Sequence, residues 1–389
     1  MRFCLLAAFL STACCGFSHV NDGNGDMAGM PGGGDGGAGS GGSGGGGSGG
    51  SGGGGGTSAN GCSVGAPVLL VAMESVDGSR TTDGAVLQYA VGDDTVTPCG
   101  PQLTAANTLS KSPNSIAWVP PGSVAYGASD SVVLLDSASD QLRWTYRPTQ
   151  FGDVPLNVFP LSHAGATSIA VGYDTHGEGT VSVLALLDGG NGMQLDFIDV
   201  TTSMSTIPLG GEVQAMVQDP RDATKIAYVD NGSSPSHPVV EVAVPWDGNT
   251  VTPSIYYNQA PPGPEVTTLN TLHAGTTSRF VWLQSSNSTT MGDIAYEIDD
   301  DGTTGMQTFG PLTCANAMCM SPWKANDAAP DPTKPGRVLA TCTAAQSGSP
   351  LSNVRHVVRI DGATCDILVD GTTLRNLTYP AALAVGAAQ

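Results

Sequence analysis

The run PAALAVG (380–386) near the end of the chain and the run PVLLVAMES (67–75) together decide the fold. Between them, apolar runs recur in units, and each later unit is preceded by one additional apolar stretch. The unit that begins with PVLLVAMES lacks such a stretch, whereas PAALAVG has no unit after it. The two ends complete one another if the units form a ring, which removes the open sheet edges of a linear stack.

Paired apolar runs, separated by clusters of Gly, Pro, Asn, Asp and Ser, define the repeat. The first runs are PVLLVAMES (67–75), VAYGASD (124–130), SIAVGYD (168–174), KIAYVDN (225–231), RFVWLQS (279–285) and RVLATCT (337–343). The second runs are GAVLQYAV (84–91), SVVLLDSA (131–138), TVSVLALL (180–187), VVEVAVPW (239–246), DIAYEIDD (293–300) and HVVRIDGA (356–363). The additional stretches before units two to six are SIAWVP (115–120), PLNVFPL (155–161), EVQAMVQ (212–218), VTTLNTL (266–272) and MCMSPW (318–323). A third run follows each Asp- and Gly-rich turn, which is typical of hairpins.

Residues 61–389 are therefore predicted to be all-β, a six-bladed β-propeller in which the C-terminal strand joins the first blade. Seven blades are the alternative if a loop contains a degenerate blade. The turns Pro121-Gly122 before VAYGASD and Asp219-Pro220 before KIAYVDN are similar to those of the YVTN and lactonase-like propellers. That resemblance implies the propeller fold at the level of the repeat.

The N-terminal residues predict a secretory signal followed by a flexible tether. MRFCLLAAFLSTACC (1–15) has one Arg and an apolar run too short to span a bilayer, which predicts a secretory signal at 1–13. Leu10 to Cys14 resembles the lipobox of bacterial lipoproteins, which implies lipidation at Cys14; an ordinary signal cut near Ala13 is the alternative. Residues 14–60 are rich in Gly and Ser and predict a disordered tether with a reach on the order of 35 Å.

The net charge of the chain limits the classes of partner that it can bind. The chain has 14 Lys and Arg against 34 Asp and Glu, a formal charge of -20, which excludes a general nucleic-acid binder because such proteins need a basic surface. We expect an exported monomer held in the cell envelope, at the outer membrane or cell surface, by a lipid anchor.

Six cysteines follow the signal region: Cys62, Cys99, Cys314, Cys319, Cys342 and Cys365. An even number in an exported protein predicts disulfides. Cys319 to Cys342 is the favoured pair, because one is predicted to begin an inner strand and the other to end its antiparallel neighbour. Cys342 to Cys365 is disfavoured. Cys62 pairs with Cys99 or with Cys365, and free buried thiols are the remaining alternative.

Sequence motifs give little support for a catalytic or metal-binding activity, since CxxC, HExxH and P-loop patterns are absent from the sequence. The additional stretch is the first strand of each predicted blade, so the first and second runs are its second and third strands. The six loops that join these two runs are predicted to lie on one face, and five of them are long and polar. Among them Asp174, His176 and Glu178 form the densest group of potential ligands for a divalent cation. Asp77, Arg80 and Asp83 lie on another such loop. The alternative is that His176 is a solvated turn residue.

Three functions remain from this pattern. The favoured one is a non-enzymatic binding module that takes a protein, glycan or small-molecule ligand through the loop-rich face. The second is a metal-dependent lactonase-like hydrolase that uses the cation site. The third is a structural envelope protein without a discrete ligand. Cofactors other than that cation are not predicted.

Overall fold

The computed structural model describes residues 62–387, with internal gaps. The gaps are 75–83, 106–108, 110–112, 129, 149–153, 164–165, 175–181, 201–212, 219–223, 231–238, 245–249, 252–253, 258–264, 275–276, 286–293, 299–304, 307–312, 315–322, 335–336, 346–352, 362–363 and 371–378. The described residues belong to one compact unit, Gly54–Gln389. The predicted signal (1–13) and tether (14–60) lie outside them.

The described part is all-β. Its first strands are β1 (Pro67–Glu74), β2 (Ala85–Val91), β3 (Val96–Pro98), β4 (Pro113–Val119), β5 (Ser123–Ala128), β6 (Val132–Asp136), β7 (Leu142–Tyr146), β8 (Val154–His163), β9 (Ala166–Asp174), β10 (Ser182–Asp188), β11 (Gln194–Val200), β12 (Val213–Gln218) and β13 (Lys225–Asp230). The others are β14 (Val239–Ala243), β15 (Thr250–Val251), β16 (Ser254–Tyr257), β17 (Glu265–Ala274), β18 (Thr277–Ser285), β19 (Ile294–Ile298), β20 (Gly305–Met306), β21 (Thr313–Cys314), β22 (Trp323–Pro330), β23 (Val338–Ala345), β24 (Asn353–Asp361), β25 (Thr364–Val369) and β26 (Tyr379–Ala387). No helix long and apolar enough to cross a bilayer occurs among the described residues.

These strands form small sheets in a β-propeller arrangement. In the described residues sheet 1 has the order β26-β1-β2-β3, sheet 2 β4-β5-β6-β7, sheet 3 β8-β9-β10-β11-β15, sheet 4 β12-β13-β14-β16, sheet 5 β17-β18-β19-β20 and sheet 6 β22-β23-β24-β25-β21. Sheets 2 to 6 each take their four main strands from one stretch of chain. Sheet 1 alone combines strands from both ends of the chain.

The first strand of each sheet is its innermost strand. These strands contact one another in turn, β4 with β8, β8 with β12, β12 with β17, β17 with β22, β22 with β26 and β26 with β4. Strand β26 also pairs antiparallel with β1, from Pro67 opposite Ala387 to Glu74 opposite Tyr379. The unmatched run at 380–386 thus lies beside the first unit.

The core lies between the sheets, and this explains the continuous apolar runs. On β1, Val68 and Leu70 pack into a cluster with residues of sheet 2, such as Tyr126. The alternate residues Leu69 and Val71 pack into a second cluster with residues of sheet 6. Because successive side chains on a strand point to opposite faces, a strand covered on both faces is apolar at every position.

Sheets 1 and 2 pack so closely that position 386 requires a glycine. A Cβ atom on Gly386 of β26 would overlap the indole ring of Trp118 on β4. Sheets 1 and 2 therefore meet through an indole laid against bare backbone.

One innermost strand differs from its prediction. The run at 318–323 was expected to form it, whereas β22 spans Trp323–Pro330. The sequence WKANDAAP carries two polar residues in its centre and has a weak apolar signal. The short fifth strands β15 and β21 pair parallel to the outer strands β11 and β25.

Candidate functional site

The connections between strands divide the molecule into two unlike faces. Within each sheet the strands alternate in direction, so the connections from second to third strands, and those from one sheet to the next, leave from the same end. They span 75–84, 99–112, 129–131, 147–153, 175–181, 201–212, 231–238, 258–264, 286–293, 307–322, 346–352 and 370–378. We call this end the long-connection face. The opposite end, the short-turn face, carries mostly tight turns such as 92–95, 137–141 and 189–193.

One of the residues predicted to bind a cation is among the described residues. Asp174 is the last residue of β9. His176 and Glu178, with Asp77, Arg80 and Asp83, lie outside the described residues, so this cation site stays a prediction. Within the described part of the chain, no three His, Cys, Asp or Glu side chains are grouped so that they could hold a metal ion.

Every innermost strand carries an irregularity in its pairing with the second strand. The shifts fall between Pro113 and Ser115, Pro155 and Asn157, Val213 and Ala215, Val266 and Thr268, Ala325 and Ala328, and between Ala72 and Met73 on the partner of β26. A β-bulge leaves an extra residue unpaired and redirects its side chain. On β4 and β22, polar side chains at the bulge contact the next innermost strand.

Asp327 occupies the bulge of β22. Its Oδ2 accepts a hydrogen bond of 2.9 Å from the backbone N–H of Leu383 on β26, and its Oδ1 accepts one of 2.8 Å from Ala328 N–H. Burial raises the pKa of the Asp327 carboxyl to about 7, against the lowering effect of these two donors. A perturbed carboxyl on an innermost strand is the kind of group that marks functional sites. Here Oδ2 already serves the junction between sheets 6 and 1, and Oδ1 is bound by the next residue of its own strand.

The equivalent bulge on β4 makes neutral contacts with β8. Ser115 Oγ accepts a hydrogen bond of 3.1 Å from Val158 N–H, and Asn114 Nδ2 donates one of 2.9 Å to Pro155 O. Val158 lies three residues after the proline that precedes its own bulge, as Leu383 lies three residues after Pro380. The N–H groups of Val158 and Leu383 are therefore at equivalent positions. The first is bound by a serine hydroxyl between sheets 2 and 3, and the second by an aspartate carboxyl between sheets 6 and 1.

The short-turn face carries a buried guanidinium. Arg359 of β24 is 4% exposed, and its Nε lies 2.6 Å from Oδ2 of the fully buried Asp331 side chain. Its Nη2 donates to Gly92 O at 2.8 Å, and its Nη1 donates to Asp93 O. Arg359 therefore holds the turn between β2 and β3, at the opposite end of the chain.

Two further cations surround the same turn. Arg337 donates through Nη1 to Asp93 O at 2.9 Å and through Nε to Asp361 Oδ2 at 2.9 Å. Lys334 Nζ lies 2.9 Å from the same Asp361 oxygen. Hydrogen bonds from Lys334 and then from Arg337 lower the pKa of Asp361. Arg359 and Arg337 bind the turn, and Arg337 and Lys334 bind Asp361. The cluster is therefore a structural contact rather than an open anion site.

His356 is a further buried ionisable group that the sequence did not indicate. Its side chain is 1% exposed, and its Nδ1 lies 3.3 Å from Oδ1 of Asp370, directly after β25. Burial lowers the pKa of His356, and the Asp370 charge opposes that shift. The pair holds the end of β25 against β24. The sequence signal was only a histidine inside an apolar run.

One disulfide lies within the described residues. Cys62 and Cys99 are bonded, with their Cα atoms 5.0 Å apart. The bond joins the segment before β1 to the residue that follows β3, which resolves the two alternatives left open for Cys62. Cys319 lies outside the described residues and does not begin β22, so the strand placement behind the Cys319 to Cys342 pairing was wrong and the pairing itself stays a prediction.

Known proteins resemble the chain in fold only. No family model and no curated protein matches its sequence. Solved structures similar to it include a putative 6-phosphogluconolactonase from Bacteroides uniformis (12% identity, 83% of this chain and 100% of that chain, TM-score 0.46). Others are the Swd1 β-propeller domain from Myceliophteria thermophila (10% identity, 75% and 82%, TM-score 0.46) and a calcium-binding protein, regucalcin, from Agrobacterium tumefaciens (11% identity, 80% and 97%, TM-score 0.40). The assignment to the β-propellers rests on the chain's own strand pairing.

Proposed function

We propose that the protein is a lipid-anchored β-propeller of the cell envelope that binds a ligand through its long-connection face. The observation that carries this proposal is that most of the long connections leave from one end of the sheets, the exception being 244–253 between β14 and β16. Loops grouped on a rigid scaffold are the usual place for binding residues. The opposite face is occupied by tight turns and by the ion pairs of Arg359 and Arg337, which serve the fold.

The scaffold in this proposal is a ring of six blades that β26 closes by pairing with β1. The six-membered circuit of contacts among the innermost strands supports that number. A closed ring has no free edge, so the loops at its ends keep fixed relative positions without a ligand. Such preorganisation lowers the entropic cost of binding.

The anchor in this proposal is lipid on Cys14, with residues 15–60 as a tether. The test compares Cys14→Ala with the matched control Cys15→Ala in cells that export the full chain. We expect the wild-type protein and the control to partition into detergent and to carry a diacylglyceryl group on the N-terminal peptide by mass spectrometry. A soluble wild-type protein with a free N-terminus would remove the anchor.

Ligand binding is tested by co-sedimentation of the purified Cys14→Ala chain, which carries no lipid, with washed cell envelopes. One variant replaces 75–83 and 231–238 with short Gly-Ser turns, and the control does the same for 219–223 and 299–304 on the short-turn face. We expect the first variant to lose retention at least tenfold while its unfolding midpoint is unchanged. Equal retention of both variants would exclude the long-connection face as the binding surface.

A further inference from the structure

Strand β21 is a short addition to the outer edge of sheet 6. It consists of Thr313 and Cys314 and comes from the connection between sheets 5 and 6. It pairs parallel with β25, and the register places Thr313 opposite Thr364 and Cys314 opposite Cys365. Two hydrogen-bonded residues of chain are a weak pairing by themselves, because ordering each residue costs on the order of 1 kcal/mol or more.

We propose that Cys314 and Cys365 form a disulfide that fastens β21 to the outer edge of sheet 6. Neighbouring strands lie about 4.8 Å apart, and disulfides join Cα atoms that are about 4.4–6.8 Å apart. Register partners on adjacent strands share a face of the sheet, so the two cysteines occupy matched positions. The bond keeps β21 on the outer edge of β25 at Thr364 and Cys365, where β25 would otherwise be open to pairing with another chain.

The other described cysteines do not compete for these partners. Cys62 and Cys99 are bonded to each other. Cys342 is on β23, opposite His356, whereas Cys365 is on β25, opposite Ile360. Strand β24 lies between them, so the two backbones are separated by about 10 Å across the sheet, beyond the reach of a disulfide. Cys314, one strand further out, is farther still from Cys342.

The bond requires an oxidising compartment, so this inference rests on the export proposed above. Formation removes two protons and two electrons from the Cys314 and Cys365 thiols. A protein disulfide of an exported oxidoreductase accepts them and becomes a dithiol. The Cys62 to Cys99 bond reports on the same compartment and serves as an internal reference.

The test is disulfide mapping of the full chain purified with its thiols blocked in acid. Cyanogen bromide cleaves after Met306 and Met318, which separates Cys314 from Cys319, and trypsin then releases 360–375 with Cys365. We expect 307–318 linked to 360–375, with a mass two hydrogens below the sum of the reduced peptides. Reduction should split the linked pair.

Variants sharpen the map. Cys314→Ser should make Cys365 the one newly alkylated thiol, and the control Cys99→Ser should expose Cys62 while the 314 to 365 link persists. A bonded Cys62 and Cys99 with Cys314 or Cys365 free, or joined to another cysteine, would overturn the inference alone. Reduced thiols at all four positions would overturn it together with the exported location.

Discussion

The junction between sheets 6 and 1 and the junction between sheets 2 and 3 solve one problem with different chemistry. At both, a bulge on an innermost strand brings a side chain to the same backbone N–H of the next innermost strand. Ser115 binds Val158 N–H at one, and Asp327 binds Leu383 N–H at the other. The junction between sheets 2 and 3 adds neutral contacts such as Trp144 Nε1 to Gly189 O at 3.1 Å.

Of these two junctions, the one between sheets 6 and 1 has the charged contacts. The chain has 14 Lys and Arg, and three of them, Lys334, Arg337 and Arg359, lie around the turn between β2 and β3 or its partner Asp361. Sheets 2 and 3 follow one another in the chain, whereas Arg359 and Gly92 are 267 residues apart. The comparison indicates that these charged contacts lie where sheet 6 meets the turn between β2 and β3, because only β26 of sheet 1 follows sheet 6 directly in the chain.

The largest effect should come from Arg359→Met. This change leaves the Asp331 carboxylate buried without its cation, which typically costs about 3–5 kcal/mol. Urea unfolding should therefore show a midpoint far below that of the wild-type protein. The double variant Arg359→Met with Asp331→Asn should recover part of that loss, because it removes the unpaired charge as well.

Arg143→Met is the matched control for that experiment. Arg143 pairs with Asp136 at 2.6 Å, but its side chain is 45% exposed, so its loss should cost at most about 1 kcal/mol. Similar losses for Arg359→Met and Arg143→Met would contradict the assigned importance of the charged junction.

A second difference between the junctions is their dependence on pH. The pKa of Asp327 is about 7 in the folded chain against 3.8 in its ordinary state, so the folded chain holds this proton more tightly. Between those values the folded state binds more protons than the unfolded state, and raising the pH lowers the free energy of unfolding. Asp327→Asn should remove this slope, and the two proteins should diverge by up to about 4 kcal/mol at pH 8.

Asp361→Asn supplies a control of opposite sign. The pKa of Asp361 is lowered, so its contribution to stability is present above its ordinary pKa and is lost as the pH falls through the folded value. Chemical unfolding from about pH 2 to pH 8 covers both transitions and distinguishes the variants. An identical pH slope for wild-type protein and Asp327→Asn would show that Asp327 stays charged in the folded chain.

The smallest effect should come from the neutral junction. Ser115→Ala removes one hydrogen bond to Val158 N–H and should cost about 1 kcal/mol, independent of pH. The measurement is the same urea titration at pH 5 and pH 8. A loss that changes with pH would contradict the description of this junction as neutral.

The sheets could be predicted from the sequence because their strands are buried on both faces. PVLLVAMES (67–75) and SVVLLDSA (131–138) are continuous apolar runs for that reason, and their spacing is visible in one chain. Strand β22 could not be located, since Asn326 and Asp327 interrupt its apolar signal. These two polar residues lie at the bulge of β22, and they can be recognised as a bulge only once the other innermost strands are known.

The polar contacts between sheets were beyond prediction from one sequence. Arg359 and Gly92, or Asp327 and Leu383, are far apart in the chain, and no local pattern relates them. His356 and Arg359 look like isolated polar residues in the run HVVRIDGA (356–363). The predicted cation ligands His176 and Glu178 lie outside the described residues and remain a prediction.

Pairing of β26 with β1 is the central claim, and cysteine pairs test it most directly. The variants Leu70→Cys with Ala384→Cys and Val71→Cys with Leu383→Cys place cysteines at consecutive register partners. One of two consecutive antiparallel pairs is the close, non-hydrogen-bonded kind, with Cα atoms about 4.5 Å apart. We predict that peptide mapping of the folded protein finds a new disulfide in at least one of these variants and none in the one-residue offset Leu70→Cys with Leu383→Cys. The absence of a link in both register pairs, or an equal yield in the offset control, would contradict the joined ends on which this account of the fold depends.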